Sequence, residues 1–133
     1  MKPLMDLFEL GGRVFMAVIF LVAGYGKVTG YAGTAAYMKS VGVPGALLPL
    51  VIALELGGGL LIVAGFQTRI IAFLMSGFCL LAALLFHNHF DNQMQSIMFM
   101  KNVAMAGGFL FLVVHGAGTF SVDNMLKKGK SQA

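Results

Sequence analysis

Apolar residues run along this chain in four long blocks, roughly 14–28, 46–65, 70–86 and 97–115, separated by short polar or glycine-rich connections. Each block is near the ~20 residues with which an α-helix crosses a hydrocarbon core. The pattern therefore predicts an all-α fold, an integral membrane four-helix bundle in a single domain over 1–133. A polar turn over 6–13 extends the first helix at its start, where Glu9 and Arg13 stand four residues apart in the order that favours an ion pair. The predicted spans thus cover about 8–28, 46–65, 69–87 and 97–115.

The turn chemistry agrees with these boundaries. Val43-Pro44-Gly45 punctuates the start of the second span, and Pro49 falls near its first turn, where a missing N–H costs least. Gly65-Phe66-Gln67-Thr68-Arg69 is a tight connection, and His87-Asn88-His89-Phe90-Asp91-Asn92 is a polar link. Residues 31–41 read as a short interfacial helix with Tyr37 and Lys39 at headgroup level. Residues 127–133 read as a solvated, frayed tail. A signal peptide is not expected, because Arg13 and Lys27 bracket the first run and no clear A-x-A site follows.

Composition sharpens this picture. Hydrophobic residues make up 59% and charged residues 11%, against roughly 25% charged in soluble domains. With a mean hydropathy of +0.88, a water-soluble globule is excluded and the lipid bilayer is the expected partner. The net charge of +4 does not point to nucleic acid, since the basic residues form no patch interleaved with aromatics. They mark helix ends instead. Lys2, Arg13, Arg69, Lys127, Lys128 and Lys130 fall on one side, and Lys27, Lys39 and Lys101 on the other. This asymmetry predicts a multi-pass membrane protein with both termini cytoplasmic. The single cysteine, Cys79, excludes an intramolecular disulfide and a CxxC redox pair.

Helical spacing places polar groups on one stripe of each span. Arg13, Ala17, Phe20, Gly24 and Lys27 share a face of the first, and Ile52, Glu55, Gly58, Gly59 and Ile62 cluster on the second. Arg69, Phe73, Ser76, Leu80, Ala83 and His87 form the third stripe, and Lys101, Ala104, Gly108, Phe111 and His115 the fourth. Small-xxx-small pairs at Ala53/Gly57, Ala72/Ser76 and Ala104/Gly108 allow close helix approach.

Glu55 lies about midway along its span, roughly 13 Å from either end at ~1.5 Å per residue, and is the only acid in the predicted membrane interior. A charge at that depth calls for a cation, from Lys27, Lys101 or, from below, Arg13. Two readings follow: an ion pair that fixes helix register, or the polar end of a ligand or proton pocket formed by Lys27, Glu55, His87, Lys101 and Asn102. Glu55 and His87 are the catalytic candidates, both able to carry protons. Arg13, with Glu9 as an interfacial partner, and Arg69, as a positive-inside anchor, read as structural charges.

Other chemistries find less support. His87 and His115 lie at opposite ends of antiparallel helices, so they do not share an ion. A Cu(I) site from His87, His89, Met94 and Met98 requires the backbone to open after His87, and methionine is also an ordinary lipid-facing filler. No metal site is expected. Ser76, Ser96 and Cys79 lack a base and orienter. Gly57-Gly58-Gly59 lies within an apolar helix, where close packing explains it better than phosphate binding.

Arg13, Ala23-Gly24-Tyr25-Gly26-Lys27, Thr34 with Tyr37-Met38, Gly42-Val43-Pro44, Glu55 followed by glycines, Gly65-Phe66-Gln67-Thr68-Arg69, His87, Phe99-Met100-Lys101-Asn102 and Ser121-Val122-Asp123 together resemble the DoxX family over about residues 10–124. The likeness is to its small bacterial inner-membrane members. The resemblance implies a four-helix membrane protein in a redox setting. The family takes its name from a subunit of an archaeal terminal oxidase and thiosulfate:quinone oxidoreductase, and some members are linked to quinone, catechol or nitroaromatic stress. It maps no catalytic residue onto this chain.

The residues and the resemblance leave three readings of function. In the first, the chain has a quinone-linked redox or detoxification role, with quinone in the polar pocket and electrons from a redox partner subunit, since no cofactor motif is evident in the sequence. In the second, it is a non-enzymatic accessory subunit or scaffold of a membrane redox complex. In the third, it is a small-molecule transporter, which four spans would support only as a homo-oligomer.

Overall fold

The computed structural model describes residues 2–87 and 90–132, with side chains as far as Lys128. Four helices in it have the length and hydropathy to cross a membrane: α1 (Lys2–Thr29), α3 (Gly45–Ala64), α4 (Thr68–Phe86) and α5 (Gln93–His115). A short helix, α2 (Tyr31–Ser40), follows α1, and α6 (Val122–Gln132) follows α5. No strand occurs among the described residues, and the protein is an all-α membrane bundle.

Each boundary has a local cause. Gly30 breaks α1 from α2 with φ −110° and ψ 40°. Gly65 ends α3 in the left-handed conformation at φ +74°, and its N–H returns to Leu61 O at 2.8 Å. A side chain here would be strained and would also strike Ser121. Asn92 caps α5 by accepting from Met94 N at 2.9 Å. Pro49 sits in the first turn of the α-helical part of α3, as its lack of an N–H requires.

α1 packs on α3, and α4 makes its most extensive contact with α5. Between them lies an apolar core of Ala17, Phe20, Ile62, Ala72, Met75, Cys79, Ala106 and Phe109. Phe20 meets Phe109 with ring centroids 5.5 Å apart. Ser76 Oγ donates to Ala106 O at 3.1 Å, a buried link between α4 and α5. Small and apolar side chains at these crossings let the backbones approach, while other large apolar side chains, such as Phe15, Phe73, Leu84 and Met100, are exposed on the outside.

The inward stripes of α1 and α3 match the spacing argument, with Arg13, Ala17, Phe20 and Gly24 buried on one, and Glu55, Gly58, Gly59 and Ile62 on the other. That of α4 matches only at Ser76 and Ala83, and that of α5 does not match. The buried positions of α4 are Thr68, Ala72, Met75, Ser76, Cys79 and Ala83, while Arg69, Phe73 and Leu80 are exposed. On α5 the buried pair is Ala106 and Phe109, and Lys101, Ala104, Phe111 and His115 are exposed. The predicted stripes followed the charged residues at the helix ends. Those end charges mark depth, not face, and the small and aromatic side chains set the true rotation.

Residues 127–132 are not a frayed tail either. They belong to α6, whose start is fixed by Ser121: its Oγ accepts from Asn124 N at 3.1 Å, a side-chain cap of the first turn.

Candidate functional site

Glu55 occupies the middle of a five-residue π-helical segment, Ala53–Gly57, inserted into α3. A π turn closes N–H to C=O five residues back and widens the helix locally. Such single turns recur at functional sites. Its side chain is 2% exposed, so the carboxylate is delivered into the bundle.

Lys27 comes from the last turn of α1, where a cation also complements the helix dipole. Its Nζ lies 2.7 Å from Glu55 Oε1. Gly24 makes this approach possible: a Cβ there would stand 2.7 Å from Leu56 Cγ and 3.3 Å from Glu55 Cβ. Of the three cations that spacing offered to Glu55, Lys27 is the one that pairs with it, while Lys101 is exposed.

Beside the pair is a cavity of about 410 Å³, within the ~300–1,000 Å³ range of small-molecule sites. It brings together Lys27, Glu55, His87, Lys101 and Asn102. Apolar side chains including Phe20, Phe78, Phe86 and Met105 form most of the wall. Helix α2 supplies Thr34, Tyr37 and Met38, and Tyr37 stacks on Phe86 with centroids 5.8 Å apart. From sequence these α2 residues read as an interfacial helix and as part of the family resemblance, not as part of the pocket. The tyrosine at headgroup level was the available signal, but nothing in the spacing folds α2 back over the bundle.

His87 ends α4, and its Nδ1 lies 3.0 Å from Gln95 Oε1. With the amide oxygen accepting, Nδ1 is the donor of this bond. Asn102 turns Nδ2 back to Met98 O at 3.0 Å, which leaves its second N–H and its Oδ1 for other partners. The cavity thus pairs an aromatic slot with a lysine ammonium, a carboxylate and an imidazole. That set can hold a flat ring with polar substituents and exchange protons with it.

Arg13 and Arg69 lie elsewhere. Arg13 is buried at the opposite end, donating through Nη1 to Ile62 O at 3.1 Å and Val63 O at 2.9 Å, and through Nη2 to Phe120 O. Its hydrogen bonds go to these carbonyls rather than to Glu9 or Glu55, tying α1 to the end of α3 and to the turn before α6. Arg69 is exposed in the first turn of α4. Asp123, not singled out for chemistry, accepts from Gln67 N at 2.7 Å and Thr68 N at 2.9 Å.

Among the described residues no group of three or more His, Cys, Asp or Glu is placed to hold a metal ion. The copper grouping drawn through His89 falls partly outside the described residues, as Asn88 and His89 both do.

Comparison with known proteins bears on the same residues. The DoxX family model matches residues 8–88. The chain is similar to the inner membrane protein YqjF of Escherichia coli (strain K12), with 52% identity over 128 residues, 96% of this chain and 98% of that protein. It is also similar to the inner membrane protein YphA of the same organism, 37% identical over 118 residues and 84% of each chain. A shorter likeness joins it to the putative oxidoreductase CatD of Bacillus subtilis (strain 168), 38% identical over 72 residues, 52% of this chain and 54% of that protein. No solved structure matches. With its four apolar helices and these inner-membrane relatives, the chain belongs to the DoxX family as a multi-pass bacterial inner-membrane protein.

Proposed function

We propose that this protein binds a quinone or a similar oxygen-bearing aromatic in the cavity beside Glu55 and Lys27, as part of a quinone-linked redox or detoxification role in the inner membrane. The observation that carries this reading is the joining of a buried 2.7 Å Lys27–Glu55 pair to a cavity of about 410 Å³ with phenylalanine and tyrosine in its wall. A benzoquinone is flat and apolar on its faces and accepts hydrogen bonds at its two oxygens. Lys27, Lys101 and Asn102 supply N–H donors toward those oxygens, and Glu55 and His87 supply sites that take up or release protons. Reduction of a quinone to a quinol needs two electrons as well as two protons, and on this reading a redox partner in the membrane delivers the electrons. The putative oxidoreductase CatD, a partial relative, points the same way. On the orientation that the positive residues predict, the cavity lies in the outer half of the membrane.

A second reading draws on the same pair. Lys27 and Glu55 satisfy each other's charge while joining α1 to α3, which suits an accessory subunit whose polar core only fixes helix register.

Mass spectrometry of organic extracts from protein purified in mild detergent separates the two. The expected result is a stoichiometric quinone in the native protein, lost from folded Glu55→Gln and Lys101→Ala. A folded native protein that retains no quinone overturns the ligand reading and leaves the accessory role.

A further inference from the structure

We infer that the end of the bundle bearing both chain termini contains a second site, a phosphate-binding recess built by Arg69, Thr68 and His115 for the headgroup of an anionic phospholipid.

A cavity of about 610 Å³ lies here between the start of α4, the end of α5 and the start of α6. Arg69, on its wall, is exposed and makes no hydrogen bond or ion pair among the described residues. Its guanidinium is held against Gly116, where a Cβ would come within 3.2 Å of Nε. Gly116 has φ +76°, so this close seat coincides with a backbone conformation that glycine adopts readily. The cation is thereby positioned without being neutralised.

Thr68 is the second, independent sign. It lines the same cavity, is fully buried, and its Oγ1 has no hydrogen-bond partner among the described residues. A buried hydroxyl left alone is costly, and a ligand oxygen would satisfy it. His115 also faces the cavity and stacks on Phe111, centroids 6.2 Å apart, which fixes its ring plane. Asp123 contributes the opposite charge to this wall, but both its oxygens accept backbone N–H groups, from Gln67 and Thr68. An arginine fork, a hydroxyl and an imidazole in one recess match a phosphate, whose oxygens accept several hydrogen bonds at once.

Position selects the source of that phosphate. Arg69 begins one membrane-crossing helix and His115 ends the next, so the recess lies at a membrane–water boundary, the depth of lipid headgroups. Just beyond it, Met125 and Leu126 of α6 are exposed on one face of a helix that also carries Lys127 and Lys128, an amphipathic arrangement that lies along a lipid surface. Acyl chains below the recess would meet the apolar outside of the bundle.

The test is native mass spectrometry of delipidated protein titrated with dioleoylphosphatidylglycerol, with dioleoylglycerol and inorganic phosphate as separate probes. The expected result is one retained phosphatidylglycerol, no retained dioleoylglycerol, and a loss of affinity of about five- to tenfold in Arg69→Gln. Thr68→Val, which keeps the side-chain shape, is expected to weaken binding about threefold or more, and it serves if Arg69→Gln fails to fold. Equal retention by native protein and both folded variants overturns the site. Displacement of the lipid by millimolar inorganic phosphate overturns the lipid assignment and leaves a free-phosphate site.

Discussion

Asp123 and Thr68 are 55 positions apart in sequence, yet the carboxylate of the first receives the backbone N–H of the second at 2.9 Å, and that of Gln67 at 2.7 Å. The N-terminus of a membrane helix is therefore capped by a residue from the far end of the chain. The link is reciprocal, because Asp123 N donates to Gly65 O at 2.9 Å and so closes the end of α3 as well. One residue ties three elements together. Its replacement by alanine leaves the two N–H groups at the start of α4 without their acceptor, while the backbone bond to Gly65 O is kept.

Asp123→Ala is expected to lower stability by about 2 kcal/mol, the upper part of the range for loss of a helix cap. Asp123→Asn, which keeps one accepting oxygen, is expected to cost about half of that. Thermal unfolding in detergent checks both, and equal midpoints for the three proteins would show that the cap carries no weight.

Arg13 makes a comparable link from inside the membrane-crossing region, with its donors on Ile62 O, Val63 O and Phe120 O. Arg13→Met fills similar space but leaves buried carbonyls without donors. The expected loss is about 3 kcal/mol, as for hydrogen bonds from a charged group. Arg13→Lys restores a single point of donation and is expected to recover only part of it, because the forked geometry is lost. A midpoint for Arg13→Met equal to that of the native protein would refute the link.

How much of this was legible beforehand differs by level. The number of spans followed from apolar block length, since few other patterns satisfy a backbone in lipid. The grouping of Lys27, Glu55, His87, Lys101 and Asn102 around one cavity was legible from depth alone, because each lies on the predicted outer side of, or level with, Glu55. The rotation of α4 and α5 was not: Arg69 and His87 drew the stripe one way, whereas Met75, Cys79 and Phe109 set it another. Nor was the π segment at Glu55, which reflects one extra residue in a turn and leaves no periodic trace over five positions. The Ser121 cap of α6 was legible in kind, as a serine before an Asp-Asn pair, but the lysines that follow it suggested a solvated tail.

Gly24 permits a sharper experiment. A Cβ there would stand 2.7 Å from Leu56 Cγ, close to the branch point of a side chain held between helices. Gly24→Ala is expected to destabilise the bundle by about 1–3 kcal/mol through overpacking. Leu56→Ala makes room, so the double variant is expected to be more stable than the sum of the two single losses, with a coupling of about 1 kcal/mol. Unfolding of the four proteins in the cycle measures it, and additive losses would show that α1 and α3 do not press together at this point.

The Lys27–Glu55 pair poses the question on which the functional reading turns. Its two charges lie 2.7 Å apart, one almost fully buried and the other partly so. Removing one partner strands the other, so Lys27→Met alone is expected to cost roughly 3–5 kcal/mol. Removing both restores neutrality, and Lys27→Met with Glu55→Leu is expected to regain most of that loss. A pair that serves only to fix register has no further consequence: the double variant would fold and behave as the native bundle. A pair that also terminates a quinone cavity predicts a split, in which stability returns and the extracted quinone does not. Unfolding midpoints and organic extracts from the same three preparations decide between them, because stability and ligand content then move independently. Quinone retained by the stable double variant would place the ligand's polar contacts away from this pair.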